Sequence, residues 1–156
     1  MRVLLAAFAL VPAAAGTVEA GTISVNKGAV GITLGMTRAA VIAKLGKPVY
    51  QNANGFMQYS NRNLFDVYFN NATKRVRLIG VSGKHFCLAG GGVICMLTNG
   101  GIAKLKARYG KTLKLITEED GSKTYRLRGA LGGRQVFTSF TPGRRGQIIQ
   151  VFIGYY

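Results

Sequence analysis

The chain has 156 residues, 48% of them hydrophobic, and 21 Lys and Arg stand against only 5 Asp and Glu, for a formal net charge of +16. It holds 22 Gly, about twice the usual share of roughly 7%. This composition is too apolar for a disordered chain, the length suits one domain, and nothing in it has the regularity of collagen or a long coiled coil.

The first twenty residues read as a secretory signal. Arg2 supplies the positive start, Val3 to Val11 an apolar core, and Val18-Glu19-Ala20 a cleavage site ahead of Gly21, with cleavage after Ala15 as the competing choice. The apolar run is shorter than the ~17 residues a spanning helix requires, so the expected product is a periplasmic or secreted protein with no transmembrane segment. Cleavage removes one base (Arg2) and one acid (Glu19), leaving 20 against 4 and the same +16. Such an excess draws polyanions and speeds their encounter. In an exported chain it points away from nucleic acid and toward an acidic protein or an anionic envelope component, with peripheral contact to a membrane surface. The alternative is that Lys and Arg simply keep a Gly-rich chain soluble.

Residues 34–47 (LGMTRAAVIAKLGK) align without gaps to residues 98–111 (TNGGIAKLKARYGK), each reading as one short helix. In the first, Thr37 caps the start, Val41, Ile42 and Leu45 form the apolar face, and Gly46 with Pro48 ends it. In the second, Asn99 is the expected cap, Ile102, Leu105 and Tyr109 the apolar face, and Gly110 the stop. Period-two segments follow each helix: 56–60, 64–70 and 75–81 after the first, and 112–117, 123–128, 134–141 and 147–155 after the second, separated by turn-forming Asn, Gly and Pro. Connections this short make antiparallel meanders. The expected fold class is α+β: two tandem helix-plus-antiparallel-sheet repeats forming one domain, residues 21–83 and 84–156 after a signal peptide at 1–20.

Cys87 and Cys95 are the two cysteines, and export makes a disulfide between them the expected state. His85 nearby invites a catalytic or metal reading, but a lone His without neighbouring carboxylates is a poor ligand set. Neither a metal nor a cofactor is expected. The mature chain's acids are Asp66 and Glu118, Glu119 and Asp120, the last three suited to capping a hairpin or pairing with Lys123. That inventory is thin for hydrolytic chemistry, so the sequence reads as a binding module rather than an enzyme, with a small envelope enzyme as the weaker alternative.

The string Ile32-Thr33-Leu34-Gly35-Met36-Thr37, followed by Val41, Leu45-Gly46-Lys47-Pro48, an aromatic strand and a closing strand, resembles the β-lactamase-inhibitor-protein-like family, which includes small outer-membrane-assembly lipoproteins of the SmpA/OmlA type. The resemblance covers most of residues 28–156 and implies a continuous concave sheet that grips a partner. It makes inhibition of a secreted or periplasmic enzyme the alternative function. The second copy departs from the pattern at Thr98 to Gly101, and the Cys of a lipid anchor is missing.

On such a sheet, alternation with Val76 and Leu78 inward would place Arg75 and Arg77 on the open face, and Tyr125 and Leu127 inward would place Arg126 and Arg128 there. Tyr59 and Tyr68 are candidates to stand beside them, though alternation leaves their facing open. Arg and Tyr are favoured at binding hot spots because both bury large areas while keeping hydrogen-bonding tips.

Overall fold

The computed structural model describes residues 21–59, 64–84, 86–90 and 93–156. The signal-peptide reading, His85 and the turn at 61–63 lie outside these residues. Among the described residues the fold is mixed α+β, with two helices and two sheets.

Three short strands come first: β1 (Gly21–Ser24), β2 (Gly28–Ala29) and β3 (Ile32–Thr33). Together with β8 (Phe86–Leu88) they form a four-stranded sheet in the order β3-β2-β1-β8, in which β1 and β8 run parallel. Period two does not foreshadow this sheet, because strands of two to four residues are too short to display it.

Helix α1 (Arg38–Leu45) starts where the Thr37 hydroxyl accepts from the Ala40 N–H at 3.3 Å. It stops at Gly46, whose φ of 77° only Gly adopts readily and whose N–H donates to the Ile42 carbonyl. Val41 is buried, but Ile42 is 37% exposed, so the apolar stripe is narrower than the sequence implied. Helix α2 (Gly101–Tyr109) buries Ile102 and Leu105 with Tyr109 at the margin. Its N-cap is Gly100 in the left-handed region, not Asn99, whose Oδ1 instead accepts from Gln147 Nε2. The side chain expected to cap the helix therefore ties it to the last hairpin.

The main sheet has eight strands, all antiparallel, in the order β4-β5-β6-β7-β12-β11-β10-β9. Strands β4 (Tyr50–Gln51), β5 (Phe56–Tyr59), β6 (Phe65–Phe69) and β7 (Val76–Ser82) follow α1; β9 (Lys114–Thr117), β10 (Lys123–Leu131), β11 (Arg134–Pro142) and β12 (Ile148–Tyr155) follow α2 and a 3-10 turn at Gly110–Thr112. The last strand of each run meets the last of the other: β7 pairs with β12 from Gln150↔Ser82 to Gly154↔Leu78.

Cross-strand register assigns the two faces, since directly opposed residues point the same way. One face carries Met57, Tyr59, Phe65, Val67, Ile79, Val81, Val136, Thr138, Phe140, Val151 and Ile153, all buried. Burying each large apolar side chain stabilises the fold by roughly 1.5–3 kcal/mol. Three structures cover this face. The C-terminal end of α1 sits over β5, where the Tyr59 hydroxyl donates to the Gly46 carbonyl at 3.2 Å. The small sheet covers the middle through Asn26, whose N–H donates to Thr138 Oγ1 at 2.7 Å while the Thr138 hydroxyl donates back to Asn26 Oδ1. A Cβ on Gly129 would lie 2.3 Å from Asn26 Nδ2, so glycine there permits the contact. Helix α2 closes the other end, with Gly101 against Ile148. The buried residues of both halves form one continuous cluster.

Candidate functional site

Among the described residues, no helix covers the opposite face. Its central row, read across the register, is Phe56, Tyr68, Leu78, Gly154, Phe137 and Arg128, and the next row holds Gln58, Asp66, Gly80, Phe152, Ser139 and Arg126. Gly80 and Gly154 make this surface what it is. A Cβ on Gly154 would lie 2.7 Å from Leu78 Cδ1 and 3.1 Å from the Phe137 ring, and one on Gly80 would lie 3.0 Å from Phe152. With no side chains there, Leu78, Phe137 and Phe152 lie down over the backbone and form a half-buried apolar floor.

Arg126 and Arg128 alternate along β10 onto this same face, as the sequence placed them. Arg126 stacks over Phe137 at 5.2 Å and Arg128 over Tyr156 at 5.3 Å, and the Phe137 and Tyr156 rings are 5.2 Å apart. Guanidinium groups over aromatic faces are held by the ring quadrupole and keep their outer N–H donors free for other acceptors. Arg126 Nη2 also pairs with Glu118 Oε1, which accepts from the Thr124 hydroxyl as well. Glu118 thus pairs across the β9–β10 hairpin with Arg126 instead of Lys123. Asp120 does cap that hairpin, accepting from the Ser122 N–H at 2.9 Å; hydrogen bonding from the Ser122 side chain first, and from its backbone N–H second, holds the Asp120 carboxyl below the ordinary value. The Nε of Arg126 is buried with no acceptor. Leu78, Phe137 and Phe152 floor a groove of about 420 Å³, with Thr124, Ser139, Thr141 and Gln150 as its hydroxyl and amide walls and Arg126 and Glu118 at its rim.

The other expected site residues fall elsewhere. Tyr59 belongs to the covered face at 0% exposure; its hydroxyl serves the helix end, and burial raises its pKa. Arg75 is exposed, but its Nη1 donates to the Gly35 carbonyl at 2.9 Å, where the segment entering α1 runs beside β7. Arg77 lies next to a register shift between β6 and β7 and lines a separate hollow of about 380 Å³ with Asn54, Asn70 and Asn71. Tyr68 is on the open face, its ring 4.9 Å from Phe56, and burial followed by the charge of Asp66 raises its pKa. Of the six residues, the structure brings only Arg126 and Arg128 together.

The residues that sequence reasoning missed are Leu78, Phe137, Phe152 and Tyr156. Phe137 and Phe152 had a signal as alternation in β11 and β12, but both faces of those strands carry aromatic or branched residues, so alternation could not tell covered from open. Leu78, expected inward with Val76, falls on the open face because the β6–β7 register shifts between Tyr68 and Phe69, and Tyr156 follows the last strand. Cys87 and Cys95 form the expected disulfide, across an isolated bridge between β8 and the segment that follows. Among the described residues, no three His, Cys, Asp or Glu side chains gather as a metal site would require, and no helix is long and apolar enough to cross a membrane.

The chain matches no family model and no curated protein. Its fold is similar to the crystal structure of a DUF4309 family protein, YjgB from Bacillus subtilis, with a TM-score of 0.56 over 84% of this chain and 88% of that one and 19% identical residues. At that identity the likeness concerns fold alone.

Proposed function

We propose that this protein is an exported cationic binding module that takes an acidic protein or anionic envelope component on the open face of its main sheet. The observation that carries the reading is the interleaved stack of Arg126, Phe137, Tyr156 and Arg128 beside an apolar groove on a sheet face that neither described helix covers. Guanidinium heads over aromatic bodies offer large contact area and charge-assisted hydrogen bonds to carboxylates or phosphates. The net charge of +16 supplies long-range attraction to such a ligand. The Cys87–Cys95 cross-link accords with an oxidising compartment. Two helix-led meanders that meet through their last strands accord with an origin by duplication and with the resemblance to the β-lactamase-inhibitor-like family. A binding role rather than catalysis accords with three of the four described acids lying in one hairpin turn, two of them engaged in structure.

The test is affinity capture from a cell-envelope extract, with poly-glutamate and phosphatidylglycerol vesicles as defined probes. Arg126→Ser/Arg128→Ser should lower retention about tenfold, as loss of hot-spot residues does, and should flatten its dependence on salt. Arg144→Ser/Arg145→Ser, in the turn between β11 and β12, removes the same charge away from the face and should retain capture. Equal retention by the first variant and the unaltered protein at every salt concentration would overturn the proposal. Loss of vesicle binding with intact poly-glutamate binding would mark a lipid headgroup as the ligand, and the reverse an acidic protein.

A further inference from the structure

Sheet edges expose unpaired backbone N–H and C=O groups, and natural proteins keep such edges short or covered. Three of the four here obey that rule. Strands β3 and β4 are two residues long. Strand β8 is covered by the chain on either side of Cys95, with Leu88 N–H donating to the Ile94 carbonyl at 2.9 Å and Met96 N–H to the Phe86 carbonyl at 2.8 Å. Strand β9 departs from it: four residues pair with β10 on one side, and among the described residues no backbone hydrogen bond reaches the other. Leu115 on this strand is 52% exposed.

The charges flanking β9 select the occupant. Lys111 and Lys114 stand at its start; Glu119 and Asp120 stand at its end and outnumber Lys123 opposite Thr117, while Glu118 is already paired with Arg126. An acidic peptide laid along this edge would meet like charge at one end, and a basic peptide at the other. A second copy running parallel would meet like charge at both ends, whereas an antiparallel copy meets opposite charge at both. We infer that β9 pairs antiparallel with β9 of a second copy about a two-fold axis perpendicular to the sheet, joining two eight-stranded sheets edge to edge. An isologous contact of this kind closes after two copies and leaves neither β9 edge exposed. A perpendicular axis keeps each face on its own side, so both Arg126 and Arg128 pairs look the same way and the dimer offers a bivalent surface. The pairing does not depend on what that surface binds.

Sedimentation velocity on the purified protein at about 0.15 M salt, where repulsion between two basic copies is screened beyond ~8 Å, should give a dimer at roughly 100 μM. Two variants then use the charges themselves. Lys111→Glu/Lys114→Glu makes both ends of the edge acidic. Because Glu118 is held in its pair with Arg126 and Lys123 stands opposite Thr117, Glu119→Lys/Asp120→Asn leaves the far end net basic, while the amide oxygen introduced at position 120 still accepts from the Ser122 N–H. All four positions are exposed, so both variants should fold. Each alone should sediment as a monomer, and an equimolar mixture should recover the dimer. An unaltered protein that stays monomeric, variants that dimerise alone as the unaltered chain does, or a mixture that stays monomeric would each overturn the proposal.

Discussion

Asp66 shows at the scale of one residue what the open face does to its side chains. Burial pushes its carboxyl above the ordinary aspartate value, and the hydrogen bond from Gln58 Nε2 at 3.1 Å draws it part of the way back. The folded protein therefore holds this proton more tightly than the unfolded chain, in which aspartate titrates near ~3.9. As pH rises from there through the raised value, the folded state must ionise a partly buried acid, so this group's contribution to stability falls and then levels off. Asp66→Asn, which keeps an oxygen for Gln58, should raise Tm at pH 7, with a gain over the unaltered protein that shrinks to nothing on acidification. Asp120 runs the other way: its lowered carboxyl contributes stability at neutral pH that is lost as pH falls, so Asp120→Asn should lower Tm most at pH 7. Thermal melts between pH 3 and 8 check both, and a pH-independent difference for Asp66→Asn would refute the assignment. Residue-scale reading of the sequence worked where one local rule decides, as at Thr37, Gly46 and the Arg126 and Arg128 alternation. It failed where a tertiary partner decides: Arg75 is taken by the Gly35 carbonyl and Asn99 by Gln147, and no neighbouring residue announces either.

At the scale of elements, the small sheet is the least self-sufficient part of the fold. Strand β8 is three residues long and depends on β1, on the disulfide and on α2, from which Arg108 Nη2 donates to the Ala89 carbonyl at 2.8 Å and Lys104 Nζ to the Val93 carbonyl at 3.4 Å. Two cations one helical turn apart thus hold both ends of the disulfide loop. Cys87→Ser/Cys95→Ser should cost about 2.5 kcal/mol on the chain-entropy estimate for so short a loop, measured by urea unfolding, yet leave a folded protein because those contacts persist. Hydrogen exchange should quicken at Leu88 and Met96 while Ile79 and Ile153 in the main sheet stay protected; uniform acceleration would mean that the cross-link supports the whole core. The disulfide, both helices and the long meander strands were legible because each has a period or a spacing. Strands β1 to β3 and β8 were not, since they exist only through pairing between distant segments, and the facing of Tyr59 and Tyr68 was not, because β5 and β6 carry aromatic residues on both faces.

For the whole molecule, the question is whether two helix-led meanders fold as two units or one. Strand β1 belongs to the first stretch of chain yet pairs with β8 of the second. Asn26 from that same stretch bonds Thr138 on β11, and β7 shares five residue pairs with β12. The covered face is continuous across the seam, with Ile79 and Val81 against Ile153 and Val151. Severing the halves would expose Ile23, Ile79, Val81, Val151 and Ile153 together, on the order of 1.5–3 kcal/mol each, comparable with the entire 5–15 kcal/mol by which a domain is stable. Residues 21–83 alone should therefore give no cooperative thermal transition. The intact chain should melt in a single step in which far-ultraviolet circular dichroism, reporting the sheet, and the near-ultraviolet signal of Tyr59 and the buried Phe residues coincide. Two separated transitions, or a stably folded first half, would show that the two stretches retain independent cores and that the β7–β12 seam is a docking contact instead of the centre of one fold.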